Sequence, residues 1–198
     1  MTSLAPIRNT TPSQSELADA SENPVENAPA WYSVYAPYIS AYSVFENGGQ
    51  PAEIIRTPLI EGYWPATHNA AGAVLVFALY DINNNGSLEL IIGYKHGNEQ
   101  EGYYINVCDV YTVDGGSLNR IIACYPADEF YTINTRSIRY AEGHEIGTIT
   151  EYLLSPDGAL IKEYSCSIDY NTNEIVQEIG KSLNDTPAEL DWKRLSEY

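Results

Sequence analysis

The sequence predicts an α+β fold: a curled antiparallel β-sheet, a meander of about six to eight strands, with an aromatic helix before it and a short helix after it. Three observations carry that expectation. Aromatic residues recur at helical spacing near the start of the foldable chain, apolar runs of strand length follow from Val74 to Tyr170, and short glycine-bearing turns separate them.

The helix is expected in 29–46 (PAWYSVYAPYISAYSVFE), where Trp31, Tyr35, Tyr38, Tyr42 and Phe45 fall every three or four residues and share a face. Pro29 suits a first turn, whereas Pro37 removes an interior hydrogen bond and predicts a kink or two short helices. Asn47-Gly48-Gly49 ends the element. Three prolines across 48–73 predict a long ordered loop with a short extended piece around Ile54.

Strands begin at VLVFALY (74–80), apolar at every position and therefore central, with LELIIGY (88–94) as its partner. YYINVCDVYTV (103–113), SLNRIIACY (117–125), YTINTRSIRY (131–140), EIGTITEYLL (145–154) and ALIKEYSCSIDY (159–170) follow. Asp114-Gly115-Gly116 and Ser155-Pro156-Asp157-Gly158 are the clearest turns, and short turns between consecutive strands favour antiparallel pairing. In 159–170, Leu160, Tyr164, Cys166 and Ile168 alternate with Glu163, Ser165 and Ser167, predicting one covered face and one wet face. The closing TPAELDWKRLSEY (186–198) has Thr186 as N-cap, Pro187 at the first helical position and Glu189 completing a capping box. Ala188, Trp192 and Leu195 would dock that short helix.

At 198 residues, 44% of them apolar, the chain has the makings of one domain, 29–198, behind a tail. Residues 1–28, rich in Ser, Thr, Pro, Asn and Glu, read as a disordered polar tether. Ten basic against 27 acidic residues leave a formal charge of −17, which disfavours nucleic acid and anionic lipid as partners and concentrates cations. No apolar run of membrane-spanning length is present. Cys108, Cys124 and Cys166 are too few for a disulfide framework and read as buried hydrophobes, although whether any two pair stays open. The tail lacks a signal peptide's charged start and apolar core, so either a signal lies upstream or the chain is cytosolic. A polar stalk ahead of an acidic, Cys-poor, Tyr-rich domain favours extracellular or cell-surface display.

The most informative stretch joins the first two strands. In YDINNNGSLEL (80–90), Asp81, Asn83 and Asn85 occupy positions 1, 3 and 5 of a turn, Gly86 position 6, Ser87 position 7 and Glu89 position 9. Alternate residues of a turning loop project inward, and a hard cation such as Ca²⁺ takes six to eight oxygens, one of them a position-7 carbonyl. An EF-hand would need Glu at position 12, where Ile92 stands. Glu89 would supply the closing carboxylate of a shorter strand–loop–strand site. With only Asp81 and Glu89 anionic, binding is expected no tighter than roughly 10⁻⁴–10⁻³ M. The alternative is a polar hairpin turn in which the Asn side chains satisfy their own backbone.

Residues 77–93 (FALYDINNNGSLELIIG) resemble the motif Y-x-L-x-D-I-D-G-N-G-x-P-E-L-L-I-G of uncharacterised secreted proteins and lipoproteins of Gram-positive, often gut-dwelling, bacteria. The stretch is also similar to the calcium loops of FG-GAP and VCBS-type repeats. The resemblance implies an extracytoplasmic location and a calcium loop with Asp81, Asn83, Asn85, Ser87 and Glu89 as matching positions. This chain departs from the motif at Asn83, Asn84 and Leu88, and the family brings no activity with it.

Enzymatic signatures are absent. Gly143-His144-Glu145-Ile146-Gly147-Thr148 opens like a zinc-protease HExxH but has Thr148 where the second His belongs. No GxSxG, P-loop or GxGxxG occurs, so no catalytic residues or organic cofactor are assigned. The remaining class is a binding module for a protein or glycan partner, since 17 tyrosines and three tryptophans offer stacking surfaces. Tyr63-Trp64, in the long loop, is the pair best placed for that role.

Overall fold

A computed structural model of the chain describes residues 32–56, 74–98, 102–114, 117–123, 129–143 and 145–195. The expected tether, Tyr63-Trp64, Cys124, His68, His144 and the 115–116 turn lie outside the described residues. The α+β class holds, with strands dominating, but they form two five-stranded sheets rather than one meander.

Helix α1 (Tyr32–Glu46) leads. It is a single helix: Pro37 lies within it on the exposed side, where its missing N–H is a local loss that buried contacts outweigh. Tyr35, Ile39, Tyr42 and Phe45 are all buried, the face that the aromatic spacing defines. Glu53–Ile55 forms a 3₁₀ turn, not the extended piece expected there, and Ile55 plugs the same core.

The first sheet contains β1 (Val74–Tyr80), β2 (Glu89–Asn98), β3 (Gly102–Asp114), β4 (Ser117–Ala123) and β10 (Lys193–Arg194), in the order β10-β1-β2-β3-β4. The second is a meander of β5 (Glu129–Ile133), β6 (Ser137–Glu142), β7 (Ile146–Leu154), β8 (Leu160–Asp169) and β9 (Glu174–Gly180). Every pairing is antiparallel. What reads as one strand over 131–140 is two, because Asn134 to Arg136 turn the chain between β5 and β6.

The first sheet is covered on both sides, as the unbroken apolar run of β1 requires. Leu75, Phe77, Leu90, Ile92 and Cys108 pack with the helix face. Ile91, Val107, Val110 and Ile122 pack with Ile133, Ile138 and Leu154 of the second sheet, and Ile82 joins them. A β-bulge sets the change of side within β3: the register steps from Ile92–Asp109 to Gly93–Val107, leaving Cys108 as the extra residue. The bulge turns Asp109 toward the helix. There Tyr42 donates to Asp109 Oδ2 at 2.6 Å, and Arg120 Nε lies 3.2 Å from Oδ1. Tyr111 joins the group through a 2.8 Å contact between its hydroxyl and that of Tyr42.

Two expectations fail for tertiary reasons. The C-terminal segment is not helical from Thr186 to Arg194. Thr135 N–H donates to Thr186 O at 3.0 Å, Ala188 N–H donates to Ile133 O at 2.9 Å, and Lys193 pairs with Phe77. A helix that short is marginal alone, so backbone pairing with existing strands prevails over the capping box. In β8, the face expected to be wet is covered at Ser165, which is buried and bonded to Thr150 at 3.2 Å. Cys108 and Cys166 are buried, and the Cys108 thiol donates to Ile92 O at 3.4 Å.

Replacing Tyr42 by Phe is expected to cost about 1–3 kcal/mol in urea denaturation, because it strips a bond from a fully buried carboxylate. Burial pushes Asp109 up to about 7, against the pull of Arg120 and Tyr42. The folded protein thus keeps a proton that the unfolded chain releases near its ordinary value of 3.8. The contribution of Asp109 to stability therefore falls as pH rises from about 4 to about 7. Asp109→Asn should flatten that part of the stability–pH curve; equal slopes in the two proteins would contradict the assignment.

Candidate functional site

The turn between β1 and β2 brings the five sequence-selected residues to one end of the two cores. Glu89, the first residue of β2, faces Tyr80 across the hairpin and is fully buried. Ile82 N–H donates to Glu89 Oε2 at 2.8 Å, and the Thr112 hydroxyl donates to Oε1 at 3.1 Å. One carboxylate thereby ties the start of the turn to the neighbouring strand β3. Burial raises the pKa of Glu89; the Ile82 amide and Thr112 hydroxyl oppose that, and the Asp81 carboxylate adds to it.

Asp81 closes the turn from the other side. Asn85 N–H donates to Asp81 Oδ1 at 3.0 Å and Gly86 N–H to Oδ2 at 2.8 Å. Asn85 N–H also reaches Asn83 Oδ1 at 3.1 Å, and Ser87 N–H donates to Asn85 Oδ1 at 2.7 Å. The chain makes this tight bend with Asn84 at φ 54° and Gly86 at φ 86°, the left-handed region that Asn and Gly tolerate. No side chain would clash at Gly86, so the backbone angle alone calls for glycine there.

The amide nitrogens of the asparagines point the other way. Asn83 Nδ2 donates to Ser155 O at 3.0 Å and Asn85 Nδ2 to Pro156 O at 3.2 Å. Both acceptors sit in the turn between β7 and β8, so the 81–89 turn fastens the first sheet to the second. With the nitrogens so anchored, Asn83 Oδ1 and Asn85 Oδ1 accept the amides of Asn85 and Ser87. Gly158 of that second turn comes so close to Thr112 that a Cβ there would meet Thr112 Cγ2 at 2.7 Å. The Thr112 that holds Glu89 thus also packs on the inter-sheet contact. From the helix side, the Tyr35 hydroxyl donates to Leu88 O.

The donor set suits a hard cation. Asp81, Asn83 and Asn85 present oxygens to one turn, and Glu89 lies in electrostatic reach of Asp81. Ser87 is exposed and contributes its backbone to the turn. Among the described residues no group of three or more His, Cys, Asp or Glu side chains gathers as a metal site, and this set contains two carboxylates only. The alternative read from sequence, asparagines capping their own backbone, describes the same hydrogen bonds.

Sequence reasoning missed the supports: Thr112, and the carbonyls of Ser155 and Pro156. It also missed the Tyr42–Asp109–Arg120 group, whose signal was available as a lone acid inside the apolar run YYINVCDVYTV. Comparison with family models, with curated proteins and with solved structures yields no match.

Glu89→Ala would leave a buried amide and a buried hydroxyl without their acceptor and should cost roughly 2–4 kcal/mol. Asn83→Ala, which releases one anchor near the surface, should cost about 1 kcal/mol. Chemical denaturation of the two variants checks the order; equal losses would contradict it.

Proposed function

We propose that this is a noncatalytic domain displayed outside the cell, whose 81–89 turn takes a calcium-like divalent cation with low affinity and uses it to hold two sheets together. The observation that carries the reading is the outward anchoring of the Asn83 and Asn85 nitrogens, which leaves their oxygens beside Asp81 within one turn. The buried Glu89, raised in pKa by burial and by Asp81, gives the electrostatic motive: a cation there relieves both. Asp81, Asn83, Asn85, the Ser87 carbonyl and Glu89 would hold the ion. Low charge on the ligand set keeps affinity in the extracellular range.

A binding surface for a glycan or protein is the second reading, and one observation favours it. Tyr103 and Tyr104 stand exposed near the end of the β2–β3 hairpin. His96 stacks on Tyr104 with ring centroids 5.0 Å apart, and Lys95 lies 4.0 Å over Tyr103. Such rings offer flat faces to a sugar or an apolar side chain.

Calcium at about ten times its dissociation constant should add about 1.4 kcal/mol, a rise in Tm of about 3–6 °C that chelator reverses. Asp81→Asn should abolish the rise. A melting curve indifferent to millimolar calcium, or a rise unchanged by Asp81→Asn, would overturn the reading.

A further inference from the structure

The buried acid of β3 is tied, through one guanidinium, to a segment that belongs to neither sheet. Two β-bulges aim the groups: Cys108 is the extra residue of β3 against β2, and Ile121 the extra residue of β4 against β3. Tyr111 and Arg120 stand opposite each other, on the same side as Asp109. Arg120 Nε donates to the Tyr111 hydroxyl at 2.9 Å and lies 3.2 Å from Asp109 Oδ1. Its Nη1 and Nη2 donate to Arg56 O at 3.0 Å and Ile54 O at 3.3 Å. The guanidinium thus stands between a fully buried carboxylate and the backbone of residues 53–56. Asp109 Oδ2 accepts the Tyr42 hydroxyl, but Oδ1 accepts no hydrogen bond among the described residues and meets Arg120 by charge alone. A proton can land on Oδ1 without breaking a hydrogen bond. Around this group, Tyr38 of α1 packs its ring 5.1 Å from that of Tyr111, and Glu46 of α1 accepts the Leu75 amide at 2.7 Å. Arg56 and Glu53 pair at 3.3 Å. On β2, Ile92 lies opposite Asp109, accepts the Cys108 thiol, and is followed by Tyr94 and His96, whose rings are 4.3 Å apart.

We propose that Asp109 and Arg120 form a pH-dependent latch on residues 53–56, closed while Asp109 is ionised and loosened when it takes up a proton. Ionised, the carboxylate holds the guanidinium, and the guanidinium holds two backbone oxygens of the segment. A proton from solvent on Oδ1 removes that charge. Arg120, whose side chain is 22% exposed, then exchanges its protein partners for water. The Tyr42 bond to Oδ2 is untouched, so the helix keeps its place. With Arg120 withdrawn, the carboxylate stays buried but has lost its cation, so the loosened state holds the proton more tightly than the latched one. In the latched state burial pushes Asp109 up to about 7. Loosening therefore grows as pH falls toward about 7 and is complete below it. Global stability responds with the opposite sign and in a lower window, because between about 4 and about 7 the same proton favours the folded chain over the unfolded one. The latch shares no residue with the 81–89 turn.

The test is water–amide exchange by NMR on the full chain from about pH 9 to about pH 6, corrected for the intrinsic pH dependence of exchange. The reporters are the Ile55 amide, which donates to Ala52 O, and the Arg56 amide, which donates to Glu53 O. The expected result is an opening of both that rises about fivefold on acidification, while the amide of Ile91, in the core of β2, does not follow. Asp109→Asn and Arg120→Gln should each give an opening that is high and independent of pH. The second variant alters a partly exposed side chain, so the test stands even where the first destabilises the fold. Opening that stays flat in the unmodified chain, or a slope unchanged in Asp109→Asn, would overturn the proposal. An equal slope at Ile91 would also overturn it, by making the effect global. So would a slope that only His96→Gln removes, which would assign the proton to the imidazole.

Discussion

A carboxylate without a cationic partner among the described residues, buried where two strands leave a turn, is the constraint around which this fold is arranged. Glu89 is expensive to bury, and the protein offsets that cost with the Ile82 amide and the Thr112 hydroxyl. Those bonds fix where the turn starts and which residue of β3 lies beside it. Once fixed, the turn directs Asn83 and Asn85 onto the β7–β8 turn and so sets the distance between the sheets at that end. A feature that looks local in sequence is therefore the fastening of a global arrangement.

The helix is fastened by a second buried acid. Asp109 collects Tyr42 from α1 and Arg120 from β4, and Arg120 also donates to the backbone oxygens of Arg56 and Ile54. Here the guanidinium offsets part of the cost of burial. The third buried acid, Glu151, works similarly: burial alone would raise it, but Arg139, the Leu183 amide and the Ser182 hydroxyl hold it below the usual carboxylate range. That third group clamps the chain after β9 and starts the extended path taken by the C-terminal segment. The cation reading gives Glu89 what Asp109 and Glu151 already have, a positive charge at hydrogen-bonding range.

Much of the fold was legible because periodicity reports burial. The aromatic face of α1 and the unbroken apolar run of β1 were visible as patterns: Tyr35, Tyr42, Phe45 and residues 75–78 are buried, Tyr38 is half-buried, and Trp31 lies outside the described residues. The errors lie where partners distant in sequence decide. The capping box at Thr186 signals a helix locally, yet residues 133–135 take the backbone groups it needs. Pro37 looks disruptive until its exposed placement is known. The strand β9 gave no core-facing pattern because it has no core face. The spacing of Asp81, Asn83, Asn85 and Glu89 identified the turn correctly, but not that the asparagine nitrogens reach Ser155 and Pro156, about seventy residues away.

The turn's capacity to enclose an ion is tested most directly by diffraction from crystals grown in millimolar calcium, with data collected at a wavelength where calcium scatters anomalously. The account predicts one anomalous peak inside the turn, about 2.3–2.6 Å from oxygens of Asp81, Asn83, Asn85, Glu89 and the Ser87 carbonyl. A turn with no peak, its oxygens still capping the amides of residues 85–87, would contradict it.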